Sequence, residues 1–163
     1  MTKGKRKKIK TVQNSVITMT ELVLPHHTNQ LGNLLGGQLM HWIDICAALA
    51  ASKHSGRVCV TASVDNIDFR HPIKLGDVVT LRASVNRAFN TSMEVGVKVH
   101  AENFSKHNKD LHTNSAYLTF VSVDKTGMPV KTFPIIPESD DEKRRYKEAL
   151  ERRKIRLHSR KNN

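Results

Sequence analysis

The sequence is poor in the residues that build disulfide frameworks, metal sites and membrane spans. It has 163 residues with two cysteines and one tryptophan, and aromatic residues make up 5% of the chain. Cys46 and Cys59 do not form a CxxC pair, so we interpret both as small apolar residues in a reducing compartment. No apolar run approaches the roughly twenty residues that cross a bilayer, and none follows the basic N-terminal run as in a signal peptide. These absences predict a cytoplasmic protein without a membrane-spanning segment.

Positive charge is abundant, but it is concentrated at the two ends of the chain. The formal net charge is +12 and the isoelectric point is about 10.0, which suggests a nucleic-acid or membrane partner. Residues 1–10 hold six Lys or Arg and residues 140–163 hold ten, whereas residues 11–139 hold 11 against ten Asp or Glu. The predicted units are a basic disordered tail over 1–12, one domain over 13–137, and a basic helix or tail over 138–163.

A glycine-containing loop that begins at Asn29 leads directly into a long apolar segment. The residues from about Gly37 to about Lys53 are rich in leucine, methionine and alanine and include no proline, which predicts a helix. Apolar residues fall on nearly every face, so we expect this helix to be buried. Its single carboxylate, Asp44, must then be hydrogen-bonded, neutralised or open to a cleft, because burying an unpaired charge is costly.

The start of this helix is a candidate site for a negatively charged oxygen. Gly36 and Gly37 lie where backbone N–H groups lack helical partners, and the helix dipole favours an anion there. An oxyanion site about one and a half turns from a buried carboxylate is suited to acyl chemistry. In a second interpretation, Gln38, His41 and Asp44 form only the solvated edge of the helix, because their three-residue spacing places them on one side.

Alternation of apolar and polar residues predicts strands on both sides of the helix. One strand, from Val16 to Leu24, precedes it. The strands that follow it cover residues 58–64 with a continuation to Ile67 and Phe69, then 79–85, 93–99 and 116–123. The charged segment from Asp140 to Arg160 predicts a solvent-facing C-terminal helix with ion pairs four residues apart. This order predicts an α+β fold in which one antiparallel sheet wraps a single helix.

Five motifs carry a family resemblance, among them Asn-Thr-Ser-Met-Glu-Val at 90–95 and Glu-Arg-Arg-Lys-Ile-Arg-Leu at 151–157. Leu-Pro-x-x-x-Asn-x-x-Gly-Asn-x-x-Gly-Gly-x-x-Met-x-Trp-Ile-Asp ends at Asp44, Val-Thr-Ala-Ser-Val-Asp-x-Ile-Asp-Phe covers residues 60–69, and Pro-Ile-Lys-Leu-Gly-Asp-Val-Val covers residues 72–79. With them the chain resembles the hotdog-fold acyl-CoA thioesterases, in particular the cytosolic acyl-CoA hydrolases that carry two such domains in tandem in animals. The resemblance implies a hotdog fold, with the sheet wrapped around one long central helix, and the hydrolysis of acyl-CoA to a carboxylic acid and CoA.

The resemblance also implies which residues perform the chemistry. In that family an Asn of the loop and an Asp of the helix act together across a dimer interface, and these positions are Asn29 and Asp44 here. Asp44 is suited to act as a general base on water or as a nucleophile, and the sequence leaves both roles open. The backbone N–H of Gly37 is suited to hold the oxyanion. We expect no metal ion and no cofactor, since CoA is itself part of substrate and product.

The CoA contacts implied by the resemblance fall on two strand segments and one basic residue: Ala62, Ser63, Val64, Thr91, Ser92, Met93 and Arg153. Strand backbone and small hydroxyl groups suit the amides of pantetheine, and the arginine suits the phosphates. Family members form homodimers whose sheets join, and the dimers assemble further in threes. A homohexamer, a trimer of dimers, is therefore expected.

Two other functions stay open at this point. The basic ends favour a nucleic-acid-binding protein, but no aromatic residues are interleaved with the Lys and Arg, so we expect no nucleic-acid partner. A hotdog dehydratase acting on 3-hydroxyacyl thioesters needs a His beside a carboxylate, whereas the loop position here is Asn29 and the predicted helix holds only His41. The remaining histidines lack the spacing of zinc ligands. Nothing in the sequence indicates the length of the acyl chain.

Overall fold

The computed structural model describes residues 9–65, 67, 71–104 and 111–161. Its elements in chain order are β1 (Lys10–Thr11), β2 (Ile17–Leu22), α1 (Gly36–Ser55), β3 (Cys59–Val64), β4 (Val78–Ala88), β5 (Ser92–Glu102), β6 (Leu111–Ser122), β7 (Ile135–Ile136) and α2 (Asp140–Lys161). Short 3-10 helices at Val12–Ser15 and Pro25–His27 lie on either side of β2.

Five antiparallel strands form the main sheet, in the order β2-β4-β5-β6-β3. The strands β2 and β3 are therefore its edges. β1 and β7 form a separate parallel pair. α1 packs across one face of the main sheet, which we call the inner face, and α2 packs against the opposite, outer face. This architecture confirms the predicted α+β fold.

The hydrophobic core lies between α1 and the inner face. Its largest fully buried apolar side chains include Leu39, Ile43, Leu81, Met93, Leu118 and Phe120. The predicted helix is confirmed to within two residues at each end, and Gly56, with φ of 69°, supplies the left-handed residue that terminates it. The helix is less buried than predicted, since Ile45 and Leu49 are 37% and 49% exposed. A single sheet packs against only one side of α1.

The prediction that the C-terminal helix faces solvent is wrong for one side of α2. Ala149 is fully buried there, and Arg152 forms an ion pair of 2.7 Å with Glu94, a fully buried carboxylate of β5. A buried carboxylate needs such a partner, so Glu94 ties α2 to the outer face. The exposed side has the predicted pairing at four-residue spacing, as between Arg144 and Glu148 at 2.8 Å.

The ends of several elements differ from the prediction. β3 ends at Val64, and Ile67 is not in a strand. The other residue of the predicted continuation, Phe69, lies outside the described residues. Lys10 and Thr11, which the prediction places in the basic tail, pair with β7. The disorder of residues 1–8 and the domain bounds stay predictions.

The C-terminal end of α1 is capped by Lys10. Its Nζ donates to the backbone carbonyl of Lys53 at 3.0 Å and to that of His54, and it lies 5.6 Å from the centroid of the Phe133 ring. The carbonyl groups of a last helical turn lack helical partners, and the helix dipole favours a cation there.

The ring of His54 is fully buried beside this cap. Its Nε2 lies 2.8 Å from the Phe133 carbonyl oxygen, so Nε2 carries the proton, and Nδ1 has no partner among the described residues. Burial lowers the pKa of this imidazole below its usual value of 6.5.

Replacing Lys10 with methionine keeps the length of the side chain and removes the charge. We expect Lys10→Met to lower the free energy of unfolding by about 1 kcal/mol, because the last carbonyl groups of α1 lose a charged donor. Urea denaturation measures the difference. Lys125→Met, at an exposed turn, is the control and should change stability by less than about 0.5 kcal/mol. If the two variants are equally stable, Lys10 does not cap the helix.

Candidate active site

The loop before α1 is closed on itself around Asn29. The Asn29 side-chain oxygen accepts hydrogen bonds from the backbone N–H of Leu31 at 2.9 Å and of Asn33 at 3.2 Å. Gly32, with φ of 70°, permits the tight turn between them. The Nδ2 group of Asn29 has no partner among the described residues and the side chain is exposed. The loop therefore fixes the orientation of the amide and leaves its two N–H donors for a ligand.

The N-terminus of α1 is open. Its cap residue, Leu35, makes no side-chain capping bond, and the first N–H groups with an acceptor in the described structure belong to Gln38 and Leu39. A Cβ atom built on Gly37 meets nothing within 4 Å, so there is space in front of this residue. The N–H groups of Gly36 and Gly37 are therefore free to bind an anionic oxygen.

A cavity of about 330 Å³ lies beside this helix end. Residues of the loop, of the first helical turn and of a segment before β4 line it: Asn33, Leu34, Gly36, Leu39, His71, Pro72 and Ile73. The lining is mainly apolar. This surface suits a hydrocarbon chain better than a charged group.

The carboxylate of Asp44 is half-buried and has a partner that the sequence analysis missed. Thr61 of β3 donates a hydrogen bond of 2.8 Å from its hydroxyl to Asp44 Oδ1. No hydrogen bond to Oδ2 is found in the described part of the chain, so this oxygen is available to a water or a carbonyl carbon. Asp44 was expected to be hydrogen-bonded, neutralised or open to a cleft, and the structure shows the first of these, with one neutral donor orienting the group.

Thr61 reaches Asp44 because of its place in the sheet. It pairs with Phe120, which in turn pairs with Met93, and both of these side chains are fully buried on the inner face. Residues that pair across strands share a face, so Thr61 also points to α1. The register shifts immediately after it, between Thr61 and Ser63, where β3 has one residue more than β6. In the sequence Thr61 belongs to the polar set of the alternation, with Cys59 and Ser63, so the pattern did not indicate that it faces α1.

Within one chain, Asn29, Gly37 and Asp44 do not form a single site. Gly37 and Asp44 are seven residues apart on α1, about 10 Å along its axis, which is nearly two turns and not the predicted one and a half. These two backbone positions are further apart than two contacts of about 3 Å to one thioester carbonyl would span. Among the described residues, no hydrogen bond joins Asp44 to Asn29 or to Gly37.

The segments predicted to contact CoA flank β6. Ser63 pairs with Thr119 of β6, and Ser92 pairs with Val121 two residues further on, so the two segments are separated by two strand spacings, about 10 Å. Ala62 and Val64 are exposed on the edge strand, and Ser63, Thr91 and Ser92 are half-buried. The side chain of Met93 lies in the core, which leaves only its backbone for a ligand.

Arg153 lies next to the second of these segments. Its guanidinium carbon is 4.2 Å from the centroid of the Phe89 ring, and the backbone N–H of Phe89 donates to the Ser92 carbonyl at 2.8 Å. The helix α2 thus brings this arginine to the turn that contains Thr91 and Ser92. The sequence alone did not indicate this proximity.

Neither cysteine is suited to be a nucleophile. Burial raises the pKa of the Cys46 thiol to about 11, and burial also raises the pKa of the Cys59 thiol. Both are free. In the described ranges, no three His, Cys, Asp or Glu side chains are placed to hold a metal ion. None of the described helices is both long enough and apolar enough to cross a membrane.

Comparisons with known proteins show which family the chain belongs to. The model of the thioesterase superfamily matches residues 31–104. Acyl-coenzyme A thioesterase 11 of Mus musculus is 46% identical over 141 residues, which cover 86% of this chain and 23% of that protein. The structure of an acyl-CoA hydrolase from Staphylococcus aureus, in complex with butyryl-CoA, CoA and CoA disulfide, is 38% identical. It has a TM-score of 0.86, over 94% of this chain and 95% of that one. The chain belongs to the thioesterase superfamily.

Membership of the thioesterase superfamily confirms the predicted hotdog fold and the resemblance carried by the motifs. The crystal structure of an apo-hexameric acyl-CoA thioesterase is also similar, with 38% identity and a TM-score of 0.89 over 93% of this chain and 96% of that one. Variants of the Staphylococcus aureus hydrolase, in which an aspartate, an asparagine or a threonine is replaced by alanine, match as well. The chain spans about a quarter of the length of the first mammalian relatives that it matches.

The raised thiol pKa of Cys46 predicts slow alkylation. At pH 8 about one Cys46 thiol in a thousand is ionised, and this fraction rises about tenfold with each pH unit until the pH approaches 11. We expect iodoacetamide to leave Cys46 unmodified in the folded protein at pH 8 and to modify it in urea. Peptide mass spectrometry measures both. Rapid modification of Cys46 in the folded protein would show that the thiol is neither buried nor protonated.

Proposed function

We propose that this protein is an acyl-CoA thioesterase, which hydrolyses acyl-CoA to a carboxylic acid and CoA. The observation that carries the proposal is the state of Asp44: Thr61 holds one carboxylate oxygen, and the other has no partner in the described structure. An oriented carboxylate with one open oxygen can act on a thioester. The names of the relatives support the same activity, since they are acyl-CoA thioesterases and hydrolases.

In the proposed reaction, Asp44 Oδ2 removes a proton from water while the water oxygen attacks the thioester carbonyl carbon. The C–S bond then breaks, and the departing CoA thiolate takes up the proton to become the thiol. In the second mechanism Oδ2 itself attacks the carbonyl carbon, the C–S bond breaks to release CoA, and water then hydrolyses the resulting anhydride. Both mechanisms place negative charge on the carbonyl oxygen, where the N–H of Gly37 would stabilise it. A single turnover in heavy-oxygen water tests for the anhydride. Water that attacks its Asp44 carbonyl carbon labels Asp44 and leaves the first molecule of acid unlabelled, whereas direct attack on the thioester labels the acid and never Asp44.

We infer that each active site is shared between two chains. The 10 Å between Gly37 and Asp44 along one helix exceeds the reach of one carbonyl. Asn29 and Gly37, at the same end of α1, would therefore act with the Asp44 and Thr61 of a partner subunit. The proposed assembly is a homodimer with two equivalent sites, further assembled as a trimer of dimers. The hexameric state of a similar thioesterase supports this assembly.

The proposed location is the cytoplasm. Both cysteines are free thiols, which suits a reducing compartment. The proposed substrate supplies CoA, so the reaction needs no further cofactor. The three residue types replaced in the Staphylococcus aureus hydrolase, aspartate, asparagine and threonine, are those of Asp44, Asn29 and Thr61 here, which supports their proposed roles.

Substitutions at Asp44 and Thr61 test the proposed chemistry. Asp44→Asn should reduce kcat to less than about a tenth of the wild-type value, because the amide keeps the shape of the side chain but cannot accept the proton. Thr61→Val should reduce kcat about tenfold, because the carboxylate loses its orienting donor. Thr61→Ser keeps the hydroxyl and should retain most of the wild-type kcat. Steady-state kinetics on acyl-CoA substrates from acetyl to palmitoyl measures these effects. Equal activity of Thr61→Val and Thr61→Ser would rule out the role of the hydroxyl.

Mixing two inactive variants tests whether the site is shared. In a heterodimer of Asn29→Ala and Asp44→Ala chains, one interface combines both defects and the other combines native Asn29 with native Asp44. Random exchange makes half of the dimers mixed, so we expect recovery to about a quarter of wild-type activity. Native mass spectrometry confirms the exchange, and unmixed variants give the baseline. If exchange is complete and activity stays at that baseline, both residues act within one chain.

A further inference from the structure

The loop before α1 is closed by the backbone of His27, the last residue of the second 3-10 helix. The N–H of His27 donates to the Leu24 carbonyl, and the His27 carbonyl accepts from the N–H of Leu35, both at 2.9 Å. Leu35 is the cap residue of α1. The next residues inward on each side, Thr28 and Leu34, form a β-bridge. The start of the loop is therefore joined to the start of the helix at His27.

The side chain of His27 makes two further contacts. Its Nδ1 accepts a hydrogen bond of 3.2 Å from the backbone N–H of Leu24. A ring nitrogen that accepts carries no proton, so the imidazole is neutral and Nε2 carries its proton. The ring also lies edge-on to the Trp42 ring of α1, with the centroids 5.0 Å apart and the planes at 87°. Trp42 is 5% exposed, so this one imidazole connects the chain before the loop to a buried side chain of the helix.

These contacts bear on two groups that are proposed to act in the same active site. Asn29 follows His27 by two residues, and Gly37 follows Leu35 by two residues. The hydrogen bond between His27 and Leu35 thus sets how far the Asn29 amide lies from the N–H groups at the start of α1. The hydrogen bonds inside the loop, to the Asn29 side-chain oxygen, fix the shape of the loop but not its position on the helix.

A second attachment holds the far side of the loop. The N–H of Leu34 donates to the Ile73 carbonyl at 2.7 Å, and the N–H of Leu75 donates to the Gly32 carbonyl at 2.9 Å. Both are backbone contacts with the segment before β4. His27 adds a side-chain contact with the helix itself. This contact matters for the chemistry, because an active-site group must lie within about 0.5 Å of its productive position, and a displacement of about 1 Å can cost about a hundredfold in rate.

Building on the proposed function, we propose that His27 is a positioning residue of the active site. Its imidazole, bound to the Leu24 N–H and packed on Trp42, sets the Asn29 amide relative to the N-terminus of α1. His27 acts through Asn29 and does not itself need to contact the substrate. The proposed contacts of CoA lie elsewhere, on β3 and at the turn between β4 and β5. A displaced amide would therefore lower kcat and leave KM nearly unchanged.

Two substitutions separate the parts of the imidazole. His27→Phe keeps an aromatic ring beside Trp42 but removes the acceptor, so the Leu24 N–H loses its partner. His27→Asn places a side-chain oxygen where Nδ1 was, since both atoms are bonded to Cγ. We expect His27→Phe to lower kcat for acyl-CoA about tenfold with KM within about twofold, and His27→Asn to keep kcat within about threefold of the wild-type value. Steady-state kinetics measures both constants.

The neighbouring histidine provides the control. His26 is exposed and its ring packs on that of His27, with the centroids 4.0 Å apart. His26→Phe keeps this ring contact and should change neither kcat nor KM. An unchanged kcat in His27→Phe overturns the proposal, and so does an equal loss of kcat in His27→Phe and His27→Asn, because the acceptor would then have no role.

Hydrogen exchange followed by mass spectrometry tests the position of the loop without an activity assay. We expect peptides that cover residues 27–35 to exchange faster in His27→Phe than in the wild type, and peptides of β5 and β6 to exchange at the same rate. Faster exchange in β5 and β6 as well would assign His27 to the stability of the whole fold, and unchanged exchange at residues 27–35 would show that it does not hold the loop. Either result overturns the proposal. If the wild type hydrolyses no acyl-CoA, the proposed function fails, and the exchange rates alone decide whether His27 positions the loop.

Discussion

The packing of α1 on the inner face of the sheet determines where each candidate residue lies. The open N-terminus of the helix, with Gly36 and Gly37, reaches the Asn29 loop at one end. The Asp44 carboxylate faces Thr61 on the edge strand nearly two turns later. Since an α-helix is rigid over this length, the distance between the two groups is fixed. The same contact that forms the core therefore sets the separation of these two candidate residues.

Much of this arrangement could be predicted from the sequence. The helix bounds follow from composition and from Gly56, and the strands follow from strict alternation. Asn29, Gly37 and Asp44 belong to a continuous motif, so they could be identified before their geometry was known. Thr61 could not, because its role depends on pairing with β6 and on the register shift after it. Alternation places a residue on a face but does not say which helical side chain it meets.

The position of α2 could not be predicted from the sequence for a related reason. The dense charges of α2 predict a solvent-exposed helix, and the alternation in β5 predicts that Glu94 faces solvent. In the structure, Arg152 of α2 forms an ion pair with Glu94 of β5, and the Glu94 side chain is fully buried. Charged residues far apart in the chain form a contact that no local pattern reports. The proximity of Arg153 to the turn at Phe89 is a direct result of this anchoring.

The buried imidazole of His54 links the stability of the fold to acidity. In the folded chain its lowered pKa keeps the ring neutral, whereas the unfolded chain takes up a proton near the usual value of 6.5. Unfolding therefore binds a proton at lower pH, and the stability that His54 contributes is lost as the pH falls from 6.5 towards the lowered value. Protonating the ring inside the fold would place a second cation next to Lys10, with no acceptor at Nδ1 in the described structure. Protonation of His54 would therefore destabilise the C-terminal end of α1, the terminus opposite to Gly37.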